Sequence, residues 1–162
     1  MECEIYGRLL KYENDDLYWW KTRNGRYYMK VPKWVKYKVY IVTTHTGHQY
    51  RKVMIGEKHY AYHRVIYHIY NQEWDIRDNS KSNYIDHRDG NTLNNNIDNL
   101  RVATHQQNMW NTKSKNYFWS KRLNRYIVRI GFNNKKIEGG TFINEADAIV
   151  RAAEMKKEYH SF

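Results

Sequence analysis

The sequence of 162 residues has little of three residue types: one cysteine, one proline and eight glycines. A single cysteine, Cys3, excludes an intramolecular disulfide and a cysteine-based zinc site, and it suits a reducing compartment. With only Pro32 and few glycines, no Gly/Ser linker divides the chain, and no internal repeat is visible. The length fits one domain or two small ones, whose boundaries must be taken from changes in residue pattern.

Long apolar runs are also lacking. No segment approaches the roughly 20 apolar residues that a membrane-spanning helix needs, and the N-terminus has no hydrophobic region of a secretory signal. We therefore expect a cytoplasmic protein without a membrane partner or a small-molecule cofactor.

Positive charge and aromatic side chains are abundant instead. Lys and Arg total 28 against 17 Asp and Glu, a formal net charge of +11. This excess favours a polyanionic partner, because neutralising phosphates releases counterions and supplies affinity that does not depend on sequence. The 16 Tyr and 6 Trp can fill a small core, which is the main role we expect for them, or stack on bases.

The N-terminal third has the pattern of a β-sheet. Residues 1–56 alternate aromatic or β-branched side chains with charged ones, which is typical of half-buried strands. The alternation predicts short strands at 18–20, 27–29 and 37–42. Asn24-Gly25 predicts a hairpin turn between the first two of them.

From Tyr62 the apolar spacing changes to that of a helix, which we predict over 62–70, followed by a polar loop. A second group of elements begins at Tyr84: a strand at 84–87, an Asn-rich loop at 88–98, a strand at 100–103 and a helix that starts at His105. Thr104 is the expected N-cap of that helix, and Gln107 completes a capping box.

This second group holds the side chains that phosphodiester hydrolysis needs. A hairpin followed by a helix places Asp86 and Asn108 on adjacent elements, as one carboxylate and one amide ligand. Oxygen ligands that leave positions for water and phosphate favour one Mg²⁺ or Mn²⁺ ion. His87, mostly neutral at physiological pH, has the chemistry of a general base toward water. Asn99 could orient it by hydrogen bonds to the loop or to the ring.

Four short motifs follow one another here: Asp86-His87-x-Asp89-Gly90-Asn91, Asn94-Asn95, Asn99-Leu100-Arg101 and Thr104-His105-x-x-Asn108. Together they resemble the HNH nuclease motif of the ββα-metal type, and especially that of phage HNH homing endonucleases. The stretch at 60–66 is similar to the helix that precedes this motif in that group. The resemblance covers residues from about 14 to 112.

The resemblance implies a role for each matching residue. His87 matches the general base, Asn99 the residue that orients it, and Asp86 and Asn108 the metal ligands. The last motif position is Asn108 instead of His, an H-N-N variant, which favours Mg²⁺ or Mn²⁺ over zinc-like metals. Three further residues are expected around the site, as phosphate contacts or as supports of the catalytic residues: His63, Arg88 and His105.

The tail has the pattern of a small separate unit. Alternation predicts a strand over 125–132, Asn133-Asn134 a hairpin turn, and 135–142 the returning strand. Asn144 is the expected cap of a final helix. The predicted buried face of this helix consists of Ala146, Ile149, Val150 and Ala153.

The strand pattern of the tail, together with Gly140-Thr141-Phe142, resembles the AP2 DNA-binding domain found fused to phage HNH nucleases. In that family one face of the sheet enters the major groove, where base edges can be contacted. The resemblance implies that DNA is bound by Lys121, Arg122, Arg125, Arg129 and Lys136.

We therefore predict an α+β fold with a strand-rich N-terminal segment, an HNH domain over 1–113 with a ββα-metal core at about 84–112, and an AP2-like domain over 116–162. The predicted function is a homing-type, divalent-metal-dependent endonuclease that acts on double-stranded DNA as a monomer or weak dimer, in a host cell. Two alternatives remain: a non-catalytic DNA-binding regulator with a decayed nuclease, and an RNA-directed nuclease.

Overall fold

The computed structural model describes residues 1–24, 27–112 and 114–161. It confirms the α+β class, because the described part of the chain forms twelve strands in four antiparallel sheets, with three α-helices that follow runs of strands. The chain divides into two compact units, Met1–His105 and Gln106–Phe162. Within the described ranges, no helix is long and apolar enough to cross a lipid bilayer.

The first sheet of the first unit is an antiparallel meander of four strands in chain order. Its strands are β1 (Glu2–Ile5), β2 (Arg8–Glu13), β3 (Asp16–Asn24) and β4 (Tyr27–Lys36). Tyr6 and Gly7 form the turn between β1 and β2, and Tyr6 has a left-handed φ of 51°. Alternation buries one face of the sheet, including Leu10 and Leu17, which are fully shielded from solvent. Gly25 lies outside the described residues, so the turn at Asn24-Gly25 stays a prediction.

The second sheet consists of β5 (Val39–Thr43), β6 (Gln49–Ile55) and β7 (Lys58–Ala61), and β7 leads directly into helix α1 (Tyr62–Tyr70). The strand predicted at 37–42 begins two residues later, at Val39. The predicted helix is confirmed, and it packs its apolar stripe into the main core of the first unit. The buried residues of this stripe are Tyr62, Val65, Ile66 and Ile69.

A short hairpin follows the polar loop after α1. Its strands, β8 (Tyr84–His87) and β9 (Leu100–Ala103), are antiparallel, and His87 lies opposite Leu100. The loop between them ends in a single 3₁₀ turn, Ile97–Asn99. Helix α2 (His105–Trp110) comes next. The strand, loop, strand and helix predicted for this segment are therefore confirmed.

The second unit packs one helix on a three-stranded antiparallel sheet. Its elements are β10 (Tyr117–Ser120), β11 (Arg125–Phe132), β12 (Lys135–Phe142) and α3 (Glu145–Tyr159). The elements are as predicted, but the predicted buried face of the helix is wrong. α3 buries Ala148, Ala152 and Met155 against Val128 and Ile130, whereas the residues predicted to be buried are exposed: Ala146, Ile149, Val150 and Ala153.

The error has a physical reason. Ile149 and Val150 are more apolar than the buried alanines, Ala148 and Ala152. The small side chains of these alanines, however, let the helix approach the sheet closely. The close approach is visible at Gly139 on β12, where an added Cβ would overlap Met155 Sδ of α3. A prediction based on hydrophobicity alone therefore chose the wrong face of α3 as the buried one.

Candidate active site

Asp86 and His87 are the last two residues of strand β8. Neighbouring residues of a strand face opposite sides, yet both side chains are buried, Asp86 being 4% and His87 5% exposed. Buried polar groups need hydrogen-bond partners, because the protein interior does not replace the water that they lose. The partners of these two residues determine what each can do.

The imidazole of His87 is bonded to an asparagine of the loop. His87 Nε2 lies 3.2 Å from Asn95 Oδ1, and Asn95 Nδ2 donates to the carbonyl oxygen of Leu93 at 3.1 Å. The second bond fixes the amide, so the oxygen of Asn95 faces the ring. An amide oxygen only accepts, and Nε2 must therefore carry the proton in this bond. In the neutral ring this leaves the lone pair on Nδ1, as a general base requires.

Burial keeps this imidazole neutral. It lowers the pKa of His87, and this effect outweighs the opposing influence of the Asn95 hydrogen bond and of the negative charges of Asp86 and Asp89. A neutral ring at physiological pH is the form that can accept a proton.

A second imidazole lies against the first. The ring centroids of His63, on α1, and His87 are 4.9 Å apart with the planes inclined by 73°, an edge-to-face contact. His63 Nδ1 is shielded from solvent and has no hydrogen-bond partner in the described part of the chain. Burial, and then the neighbouring His87 and Arg64, lower the pKa of His63 to about 3. His63 is therefore an uncharged wall of the His87 pocket.

The carboxylate of Asp86 is paired with an arginine from the neighbouring strand. Arg101 Nη2 and Nε lie 2.9 and 3.0 Å from Asp86 Oδ2, and the two residues are opposite each other in the register of β8 and β9. The pair compensates the charge of a buried carboxylate. The motif contains Arg101, but its sequence position alone did not predict this contact.

Asn99 holds the loop and is bonded there. Its Oδ1 accepts from the backbone N–H of Asp89 at 3.1 Å, and its Nδ2 donates to Asp89 Oδ1 and to the carbonyl of Asn94 at 2.9 Å each. Asp89 also accepts from Asn91 N and Asn94 Nδ2, at 2.8 Å each. Asp89 and Asn99 thus tie the two ends of the loop together, and the asparagine that hydrogen-bonds to the ring of His87 is Asn95.

The remaining residues predicted around the site differ in position. Arg88 is exposed, and its backbone N–H donates to the carbonyl of Asn99 at 2.8 Å. His105 N donates to Lys81 O, and its ring lies 5.4 Å from that of Tyr84. Asn108 is half-buried on α2 and belongs to the second compact unit.

Arg64, which follows His63, has a role that the sequence did not reveal. Its guanidinium donates to the carbonyls of Asn83, Ile76 and Asp78, at 3.0, 2.9 and 2.8 Å. One side chain thereby fastens the irregular loop between α1 and β8 to the helix. The ring of Trp74 lies 4.6 Å from its Cζ, a cation–π contact that adds to this attachment.

The basic residues predicted for the tail lie on one side of its sheet or in its turns. Lys121, Arg122, Arg125 and Lys136 are exposed. Arg129 is ion-paired instead, with its Nε 2.7 Å from Glu138 Oε1, and the two residues are opposite each other in β11 and β12.

The donor types at the site can be compared with the preferences of common metal ions. Among the described residues, no three His, Cys, Asp or Glu side chains form a cluster, and the cysteine, Cys3, is buried elsewhere. Zinc usually takes three or four nitrogen and sulfur ligands, which this arrangement lacks. Mg²⁺ is often held by one or two carboxylates with water and phosphate oxygens, so the buried carboxylate of Asp86 fits a magnesium-like ion.

Comparisons with known proteins match the segment of the chain that contains His87. A curated relative, Protein 3.8 of Escherichia phage T7, is 47% identical over an aligned length of 49, and the match covers 25% of this chain and 40% of the relative. The chain thus spans about two fifths of the length of that relative. No solved structure matches. Residues 60–110 match the family model described as HNH endonuclease, so this segment, from β7 to α2, is similar to the domain of that family.

Proposed function

We propose that the protein is a divalent-metal-dependent endonuclease of the homing type that hydrolyses DNA with His87 as general base. The observation that carries the proposal is the hydrogen bond between His87 Nε2 and Asn95 Oδ1 inside the HNH segment. It selects the tautomer whose Nδ1 can accept a proton, in a pocket that keeps the ring neutral.

In the proposed reaction, His87 Nδ1 takes a proton from a water molecule while the water oxygen attacks phosphorus. The bond between phosphorus and the 3′ oxygen breaks, and the products are a 5′-phosphate and a 3′-hydroxyl. Asp86 and Asn108 are the proposed ligands of one Mg²⁺ or Mn²⁺ ion; Asn108 is assigned from the motif. A bound divalent ion would stabilise the negative charge that develops on the phosphate and on the leaving oxygen.

The chain's own residues have three further tasks in this proposal. Asn95 fixes the ring of His87, Asn99 and Asp89 hold the loop that carries Asn95, and Arg101 compensates the carboxylate of Asp86 until a metal binds. We propose that the exposed basic residues of the tail contribute DNA affinity, as an AP2-like module would. With one His87 per chain, we propose that a monomer nicks one strand at a time.

The test is cleavage of supercoiled plasmid by wild-type protein, His87→Ala and His45→Ala, each with Mg²⁺, Mn²⁺ and EDTA. His45 is exposed and lies outside the site, so it controls for the loss of an imidazole. We expect metal-dependent nicking that His45→Ala retains and His87→Ala loses by a factor of about 10²–10⁴, the usual contribution of a general base.

Full activity of His87→Ala would refute the proposed base. Wild-type protein that binds DNA but never cleaves it with either metal would favour a DNA-binding regulator. An RNA of the same sequence serves as a second substrate, and preferential cleavage of RNA would refute the DNA specificity.

A further inference from the structure

A cavity separate from the His87 site lies on the first unit, and none of Asp86, His87 and Asn95 lines it. Its volume is about 650 Å³, which is within the range of about 300–1,000 Å³ typical of ligand sites. The β1–β2 turn, strands β6 and β7, and the loop after α1 all contribute to its wall. Among the described residues, no Asp or Glu lines the cavity, and the charged side chains in its wall are basic: Lys52, Lys58, Arg64 and Arg77.

One wall is aromatic and lies between two of these cations. Tyr6, at the tip of the β1–β2 turn, has Lys58 Nζ 4.9 Å and Arg77 Cζ 5.0 Å from the centre of its ring. The ring of Tyr60 on β7 is 6.1 Å from that of Tyr6. A basic groove with aromatic side chains is the combination that binds nucleic-acid strands, because phosphates meet the cations while sugars and bases meet the rings.

The basic residues of the wall are not equivalent. Arg64 is half-buried and uses its guanidinium to hold three backbone carbonyls, so it builds the cavity. Lys52, Lys58 and Arg77 make no ion pair with any carboxylate of the described residues. Three cations around one concave surface repel one another, and an anion in the cavity would relieve that repulsion.

The absence of acidic residues here is not a general property of this unit. A neighbouring cavity of about 440 Å³ also includes Arg77, but its wall contains Glu4, Glu73 and Asp75. The larger cavity is therefore selectively basic, beyond what the net charge of +11 requires.

The cavity also lies next to the catalytic pocket. Ala61 and Arg64 line it, and between them in sequence lies His63, whose ring contacts that of His87. Successive helical residues point about 100° apart, so the cavity and His87 are on two sides of the first turn of α1. A strand bound at His87 can continue over this turn.

We propose that this cavity binds phosphate groups of the DNA strand, with Lys52, Lys58 and Arg77 contacting the phosphates and Tyr6 with Tyr60 the sugar or base. The identity of the strand as DNA rests on the proposed nuclease function. The cavity gives the HNH-containing unit its own phosphate site, separate from the basic residues of the tail.

The test compares two double variants of the full chain that lose the same charge: Lys58→Ala with Arg77→Ala in the cavity, and Lys33→Ala with Lys38→Ala as control. All four residues are exposed, and Lys33 and Lys38 lie outside the cavity. Binding of a fluorescent DNA duplex is measured by anisotropy in EDTA, at several salt concentrations. Circular dichroism checks that both variants are folded.

We expect the cavity variant to bind about tenfold more weakly near 100 mM salt. The slope of log K against log salt should fall by about 2, because each of the two missing cations would otherwise neutralise one phosphate. The control should change binding less than twofold. Equally weakened binding in both variants, or unchanged binding in the cavity variant, would overturn the proposal.

Competition separates a strand site from a site for free phosphate. Inorganic phosphate, added at the same phosphate concentration as an unlabelled oligonucleotide, should displace far less of the labelled DNA. If inorganic phosphate competes equally well, and only in proteins with an intact cavity, the cavity is a free-phosphate site and the proposal is wrong. These measurements need no cleavage, so a protein without nuclease activity would still test the cavity.

Discussion

Asp86 and Arg101 lie opposite each other on strands β8 and β9, with Arg101 Nη2 2.9 Å from Asp86 Oδ2. Both side chains are largely buried, Asp86 to 5% and Arg101 to 16% exposure. Asp86 is also the proposed carboxylate ligand of the metal. If Asp86 binds the metal as proposed, the guanidinium and the divalent ion compete for the same carboxylate, and this competition can be measured.

We predict that Arg101→Met makes the protein less stable without metal and more responsive to metal. Removing one partner of a buried ion pair costs about 3–5 kcal/mol, and the partial exposure of Arg101 favours the lower end. Without the competing guanidinium, Mn²⁺ should bind Asp86 more tightly, and tighter binding to the folded state raises the melting temperature further. Thermal unfolding with and without Mn²⁺ measures both effects.

Arg151→Met is the matched control, because it breaks an exposed pair with Glu154 on α3, and exposed pairs contribute about 0–1 kcal/mol. If Mn²⁺ shifts the melting temperature of Arg101→Met no more than that of the wild type, Arg101 does not compete with the ion for Asp86.

The hydrogen bond from His87 to Asn95 predicts a positioning role for Asn95. Asn95→Ala should reduce cleavage by about 10–100-fold, since the ring loses the partner that fixes its tautomer. Loss of the bond also removes an influence that raises the pKa of His87. The acidic limb of the pH–rate profile should therefore move to lower pH, which a general loss of stability would not cause.

Asn91→Ala is the control for this prediction. Asn91 also shapes the loop, with its Oδ1 accepting from Leu93 N at 3.1 Å, but it is exposed and does not touch the ring. An Asn95→Ala variant with an unchanged pH–rate profile would show that the bond does not tune His87.

The local elements around the site could be predicted from sequence because each has a strong local signal. Apolar residues with a period of 3.6 predict α1, and the Asn-rich composition of the segment before β9 predicts a loop. The role of Asn95 could not be predicted, because four asparagines between 94 and 99 have similar chemistry and the fold of the loop decides which one faces His87. Arg64 likewise bonds to carbonyls 12 to 19 residues away, which no local pattern encodes.

The prediction of the buried face of α3 was wrong for a different reason. The sequence offers two stripes on this helix, and the more apolar one was selected. The sheet selected the other, since Gly139 lets Met155 approach closely. The extent of the N-terminal sheet was also underestimated, because β1 and β2 are short and carry charged residues on their exposed face.

The imidazole of His63, whose Nδ1 has no hydrogen-bond partner among the described residues, predicts a loss of stability in acid. Its pKa is about 3 in the folded protein and about 6.5 in an unfolded chain, so below pH 6.5 the unfolded chain binds the extra proton. Above pH 6.5, His63 does not reduce the free energy of unfolding. Below pH 6.5, it reduces the free energy of unfolding by about 1.4 kcal/mol for each pH unit. Between pH 7.5 and pH 5 the expected loss from His63 is about 2 kcal/mol.

His63→Phe keeps a ring in this place and removes the proton site, so this part of the acid sensitivity should disappear. Urea unfolding at pH 7.5 and at pH 5 gives the free energies of unfolding. His45→Phe, at an exposed position, should leave the pH dependence as in the wild type. If His63→Phe loses as much stability in acid as the wild type does, the buried ring of His63 is not its source.

The packing of α3 on its sheet gives a prediction for the second unit. A Cβ at Gly139 would overlap Met155 Sδ of α3 and would lie 2.6 Å from Val128 Cγ1 on the neighbouring strand, whereas a Cβ at Gly131 would meet no described atom within 4 Å. Gly139→Ala should therefore destabilise this unit by about 1–3 kcal/mol, the usual cost of overpacking, and Gly131→Ala should be nearly neutral. Urea unfolding followed by circular dichroism compares the two. Equal stabilities would mean that α3 can move away from the sheet without cost. If the tail also contributes to DNA binding, Gly139→Ala should weaken that binding at temperatures where this unit begins to unfold, while Gly131→Ala binds as the wild type does.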